Sequence, residues 1–248
     1  GVASRRGAEE LVAAGRVAVN GAVVTVPQTL VSPSQDRIEV DGVALDRRTT
    51  AKRYYFMVNK PRGLICSRES ADPAKTVYRC MESWLSRWRA RNPDALVPPR
   101  LFTVGRLDVN TTGLILMTND GQWAHRITHP KHTITKEYVI TSKSKITHRQ
   151  LKLLVQGCEV EGVHVAPLEV HMPGEETGDT RREYRVRVVV GEGRKHEVRE
   201  LAKAAGIPLA ALKRVRVGSL RLPHNLKLGQ YQEMKYEEAM AVLQEERQ

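Results

Sequence analysis

The segment Gly105–Gly121, GRLDVNTTGLILMTNDG, constrains the fold more than any other stretch of the 248-residue chain. Its apolar run, Leu114–Met117, is far too short to span a membrane and is bounded on both sides by turn-forming residues. Such a run is read as a strand buried in a sheet. The Arg-Leu-Asp turn ahead of it puts Asp108 on the loop that enters the strand, where functional carboxylates are often displayed. The residues alone also allow a structural ion pair between Asp108 and Arg106.

Further strands are expected at Tyr54–Val58, Glu137–Ile140 and Tyr184–Val190, with Pro61 ending the first. The last alternates, with Tyr184, Val186, Val188 and Val190 on one face and Arg185 and Arg187 on the other. Helical patterns fall at about 147–156 and 195–205 and around Met81, Trp84, Leu85 and Trp88, where the two Trp residues read as core. The N-terminal 45 residues follow a different plan. Ser4 is a helix cap, Gly15 suits the helix C-terminus, and Asn20-Gly21 and Asp41-Gly42 are hairpin turns between short apolar stretches. Residues 46–53, DRRTTAKR, read as a charged linker. The fold class is therefore α+β: a small N-terminal module, 1–46, a linker, 47–53, and a larger domain, 54–248, built on a mixed, mostly antiparallel sheet with flanking helices.

The net charge of +12 lies entirely beyond residue 50, and residues 181–221 hold twelve basic against four acidic side chains. A basic excess focused in this way predicts a polyanionic partner. Cys66, Cys80 and Cys158 are odd in number and widely spaced, which argues against a disulfide framework or a thiolate zinc site and fits a reducing compartment. Charges interrupt every apolar run, so no membrane span is expected. The opening Gly1-Val2-Ala3-Ser4 is neither an initiator Met nor a secretory signal, and a segment lost upstream is expected. His125, His129 and His132 form a rival constellation with partial zinc-site spacing, but without the glutamate of a metalloprotease motif.

Several segments together resemble a known family. GRLDVNTTG is similar to the signature loop of pseudouridine synthases of the RsuA branch, which act on ribosomal RNA. Asn59–Gly63 (NKPRG), Lys136–Ile140 (KEYVI), Glu192–Gly206 (EGRKHEVRELAKAAG) and Leu212–Leu222 (LKRVRVGSLRL) follow in the family's order. Residues 3–45 resemble the S4-like RNA-binding module, whose helical face, here Ser4, Arg5, Arg6 and Arg16, meets RNA phosphates. The late basic element is closest in wording to plastid and cyanobacterial members, which with the missing initiator Met favours an organelle protein. The segment 75–100 is longer than in bacterial members, and its role is open.

The resemblance implies isomerisation of uridine to pseudouridine without energy source, metal or organic cofactor. It assigns Asp108 as the catalytic carboxylate, Arg199 as the cation that keeps it ionised against the effect of burial, and Tyr138 as the aromatic that stacks on the base. A helical uridine must be extruded to react, and basic side chains on flanking phosphates offset that cost. The candidates are Lys60, Arg106, Arg194, Lys195, Lys213, Arg214 and Arg216, with Arg106 and Lys195 foremost because they lie inside matched motifs. The expected partner is ribosomal RNA in a pre-ribosomal particle, bound by a monomer with no membrane association. A second reading keeps the fold as a catalytically silent RNA-binding assembly factor; the intact Asp108, Tyr138 and Arg199 set favours the enzyme.

Overall fold

The computed structural model describes residues 2–32, 34–45, 52–67, 70–95, 98–172, 184–191 and 193–243. The chain divides into two units, 1–53 and 54–248. Residues 46–51 of the expected linker lie outside the described residues.

In the first unit, helix α1 (Arg5–Ala13) is capped by Ser4, whose hydroxyl accepts from the Gly7 amide at 2.9 Å. Strands β1 (Val17–Val19), β2 (Ala22–Val24), β3 (Ile38–Val40) and β4 (Val43–Ala44) form an antiparallel sheet in the order β2-β1-β3-β4. Asn20, Gly21, Asp41 and Gly42 all have positive φ. Two-residue hairpins need that conformation, and Asn-Gly and Asp-Gly supply it at low cost. No residue of α1 is buried, as expected of so small a core.

The second unit runs through β5 (Tyr55–Lys60), α2 (Glu82–Arg91), β6 (Phe102–Val104), β7 (Thr111–Thr118), α3 (Gly121–Thr128), β8 (Lys136–Ser142) and α4 (His148–Gln156). A hairpin of β9 (Cys158–Val160) and β10 (Val163–Val165) follows, then β11 (Glu169–His171), β12 (Tyr184–Val190) and α5 (Glu197–Ala204). The chain ends through β13 (Leu209–Val217), β14 (Leu220–Arg221), β15 (Tyr231–Glu233) and α6 (Tyr236–Ala241). The large sheet has the order β11-β12-β8-β13-β7-β5-β15, with β14 on β13 and β6 on β7. Of its pairs among the described residues, only β13–β7 is parallel. The mixed, mostly antiparallel sheet of the sequence reading is thus present.

Alternation along β5 and β7 explains the unbroken apolar run. Tyr55, Met57, Leu114 and Leu116 pack with Trp123 and Ile127 of α3 and Ala239 of α6. Phe56, Val58, Ile115 and Met117 pack on the other side with Val77, Met81 and Trp84. Both faces are covered, so no polar position survives in Leu114–Met117. Trp84 is core, and Trp88 donates its indole N–H to the Tyr54 hydroxyl at 2.8 Å, so this part of the long 75–100 segment contributes to the core. A third cluster joins Ile140, Val186, Val188 and Leu212 of the sheet to Leu154 of α4 and Leu201 of α5.

Strand β5 begins one residue later and ends two residues later than expected, because Asn59 and Lys60 still pair with Leu114 and Gly113. At the parallel junction Gly113 adopts φ of +100° beside the Arg214 backbone, and any Cβ there would collide with the Arg214 carbonyl oxygen. In β13 a bulge leaves Val215 without a partner in the β8 ladder. Arg214 faces Tyr138 across the ladder, and Arg216 faces Glu137, the adjacent residue of β8. Adjacent strand residues point to opposite faces, so the bulge sends the two arginines to opposite sides of the sheet.

Candidate active site

Asp108 lies on the loop between β6 and β7, and three donors hold that loop through its carbonyls. The Thr111 amide donates to the Asp108 carbonyl at 3.0 Å, and the Gly63 amide donates to the Val109 carbonyl at 2.9 Å. The third is Lys60, which is fully buried. Its ammonium donates to the carbonyls of Pro61 (3.1 Å), Asp108 (3.1 Å), Val109 (3.3 Å) and Thr111 (2.9 Å). Burial pushes the Lys60 ammonium below its ordinary value, with Cys66 and Asp108 opposing the shift.

The carboxylate of Asp108 is one-third exposed, its side chain being 33% accessible. Arg199 of α5 donates from Nε to Asp108 Oδ2 at 3.0 Å and from Nη2 to Thr111 Oγ1 at 2.8 Å. Thr111 donates its hydroxyl to the same Oδ2 at 3.3 Å, closing a three-residue ring. His196, in a left-handed conformation just before α5, places Nε2 3.5 Å from Asp108 Oδ1. The carboxylate therefore meets one guanidinium, one hydroxyl and one imidazole.

Asp108 opens into a cavity of about 720 Å³, whose wall includes Tyr138, Arg106, Lys136, Arg194, Lys195 and Arg214. That volume fits a nucleoside-sized ligand. Tyr138 is half-buried where two core clusters meet, so its ring is held by packing. Arg214 is 5% exposed; its Nε donates to the Leu114 carbonyl at 2.8 Å, and its Nη2 is buried with no hydrogen-bond partner. An anionic carboxylate, an aromatic ring and basic walls in one cleft can attack or stabilise an electron-poor carbon of a polyanionic substrate.

Residues 54–204 match the model of the family described as RNA pseudouridylate synthase, and residues 1–38 match the S4 domain. The chain belongs to the RNA pseudouridylate synthase family. It is 46% identical over 242 residues to an Arabidopsis thaliana protein named putative ribosomal large subunit pseudouridine synthase SVR1, chloroplastic, with 98% of this chain and 58% of that one covered. It is 34% identical over 249 residues to ribosomal large subunit pseudouridine synthase B of Pseudomonas aeruginosa, with 99% and 60% covered. The chain thus spans about three-fifths of these two relatives. A solved pseudouridylate synthase superposes with a TM-score of 0.63 at 28% identity, covering 96% of this chain and 94% of that one.

Of the residues singled out in the sequence, Asp108, Tyr138, Arg199, Arg106, Arg194, Lys195 and Arg214 share the cavity of this family member. Lys60 requires correction. A buried ammonium spent on four carbonyls cannot meet a phosphate, and its place is structural. Arg216 lies outside the cavity, donating to Glu137 (3.1 Å), Thr135 and the Gly218 carbonyl on the face away from Tyr138. Lys213 is exposed on that same outer face. In the first unit Arg5 and Arg6 are exposed on α1, Arg5 beside Glu9, and Arg16 makes a two-pronged pair with Asp41 at 2.7 and 2.6 Å.

The three histidines near α3 lie against one another, His125 and His129 tilted with ring centroids 4.9 Å apart and His129 and His132 edge-on at 6.0 Å. Among the described residues no three His, Cys, Asp or Glu side chains are grouped to hold a metal ion. Sequence reasoning missed Thr111 and His196, although both lie within the matched motifs. It also missed Glu137, whose charged partners are far away in sequence.

Proposed function

We propose that this chain isomerises a uridine of structured ribosomal RNA to pseudouridine, with Asp108 as the reacting carboxylate. The supporting observation is the joint placement of Asp108, Arg199 and Tyr138 in one basic cavity. The bond between uracil nitrogen 1 and the sugar breaks, the uracil turns within the cavity, and carbon 5 bonds to the same sugar carbon. The proton lost from carbon 5 is balanced by one gained at nitrogen 1, so no energy source is consumed. Asp108 serves as nucleophile, or as the anion beside an electron-poor sugar, and Arg199 holds its carboxylate in place. Tyr138 stacks on the extruded base and assists removal of the carbon 5 proton. Arg106 and Lys195 hold flanking phosphates and offset the few kcal/mol of unstacking.

The context is a pre-ribosomal particle of a plastid, with the chain acting as a monomer; the similarity to the chloroplastic Arabidopsis protein supports the compartment. The test is Asp108→Asn, which removes the anion and nearly keeps the shape. Pseudouridine formation on unmodified ribosomal RNA should vanish while RNA affinity stays within about twofold, because phosphate contacts come from other residues. Substantial turnover by the Asn variant refutes the mechanism.

A further inference from the structure

Strand β8 sends Lys136 and Tyr138 to the cavity wall and Glu137 to the opposite face of the sheet. Glu137 is 6% exposed, yet three guanidiniums from three other strands converge on it. Arg187 of β12 lies at 3.0 Å, Arg216 of β13 at 3.1 Å and Arg221 of β14 at 3.3 Å. Burial alone pushes the Glu137 carboxyl up; hydrogen bonds from Arg187 and Arg216 and the charge of Arg221 outweigh it and leave Glu137 below its ordinary value. One anion therefore holds three cations, and the group keeps a charge of +2.

Arg216 is nearly buried, whereas the side chains of Arg187 and Arg221 are 42% and 66% exposed. Arg185 and Lys213, both exposed, extend the same face, and Glu169 with its partner His171 lies at the β11 edge. The planar fork of arginine offers donors beyond those on Glu137, and the carboxylate fixes where they point.

We propose that this outer face is a second RNA-binding surface, which takes the phosphodiester backbone of a ribosomal RNA segment other than the one that enters the Asp108 cavity. The occupant is identified by charge: an excess of fixed guanidiniums on a sheet face complements a run of phosphates. The inference rests on the functional reading above only for the identity of the RNA. A synthase working in a folded RNA would thereby grip it on both faces of the sheet, one for chemistry and one for placement.

The test compares wild type, R187Q/R221Q, R221Q and R221K for binding to an unmodified ribosomal RNA transcript over a range of KCl concentrations, and for turnover at saturating RNA. Arg216 still holds Glu137 in each variant. The double variant should bind about tenfold more weakly, and its log–log salt slope should drop by about 1.5, because each lost phosphate contact removes about 0.7–0.9. Turnover at saturating RNA should not change, and R221K should behave almost as wild type. If the double variant does not fold, R221Q carries the test alone, with a slope change of about 0.8. Unchanged affinity and slope overturn the proposal. So does weakened binding to a ribosomal particle with normal binding to naked RNA, since the occupant would then be an acidic protein surface. If the wild type forms no pseudouridine, the functional reading fails while the binding comparison still decides this one.

Discussion

Replacing Lys60 by Met keeps the length of the stem and removes the ammonium that ties down the Asp108 loop. Four carbonyls lose a charged donor at 2.9–3.3 Å. Two of them keep another partner, since Thr111 N still donates to Asp108 O and Gly63 N to Val109 O. Removing a buried charge also relieves its own desolvation. The loss should therefore be about 3 kcal/mol, at the low end for breaking a buried charged network. For a domain of this size that lowers the melting temperature by about 6–12 °C. Displacing the loop by about 1 Å should also cost about 100-fold in turnover at saturating RNA. The assay is thermal unfolding of the whole chain together with single-turnover pseudouridine formation. A phosphate-binding lysine behaves differently, losing RNA affinity and salt dependence with an unchanged melting temperature. That second pattern would refute the structural assignment of Lys60.

Arg199→Ala should reduce saturated turnover by about 10²–10³-fold, the scale for losing one preorganised electrostatic partner. Arg199→Lys should rescue in part; a normal saturated rate for Arg199→Ala would make Arg199 a mere phosphate contact. Gly113→Ala should destabilise by about 3 kcal/mol or more in urea unfolding, because the Cβ meets the Arg214 backbone at a φ that L residues rarely adopt. Glu137→Gln should cost about 3 kcal/mol at neutral pH by leaving three guanidiniums without their anion. Because folding lowers the proton affinity of Glu137, its stabilisation is full above the ordinary value of 4.5 and is lost as pH falls through the lower folded value. The gap between wild type and variant in denaturation curves should close in acid; a gap that widens in acid would reverse that sign.

What the sequence disclosed was local. Asn20-Gly21 and Asp41-Gly42 carry their own backbone requirement, and the Asp108 loop is framed by a turn and a strand that need no distant partner to be read. What it concealed was pairing across strands. Glu137 and Arg216 are 79 positions apart and meet through a bulge that no periodicity announces. Lys60 read as surface because it stands beside Pro61 and Arg62. Its burial depends on β7 and on carbonyls 48 to 51 positions away. Strands β6, β11 and β15 have three residues each, too few to show alternation.

The bulge at Val215 makes chain length, not side-chain chemistry, the divider of two arginines. Arg214 serves the cavity and Arg216 the outer face because one residue between them is passed over by the ladder. No point substitution at either arginine can exchange those duties, since orientation follows register. Deletion of Val215 would make the two arginines neighbours in a regular ladder, still facing Tyr138 and Glu137 from opposite sides of the sheet; closing the bulge with Val215 kept would instead set Val215 across from Glu137, leave two cations around a buried carboxylate and drive the Arg216 guanidinium to the cavity side. The division of the two arginines should therefore hold whichever residue stands at position 215, as long as the ladder passes it over.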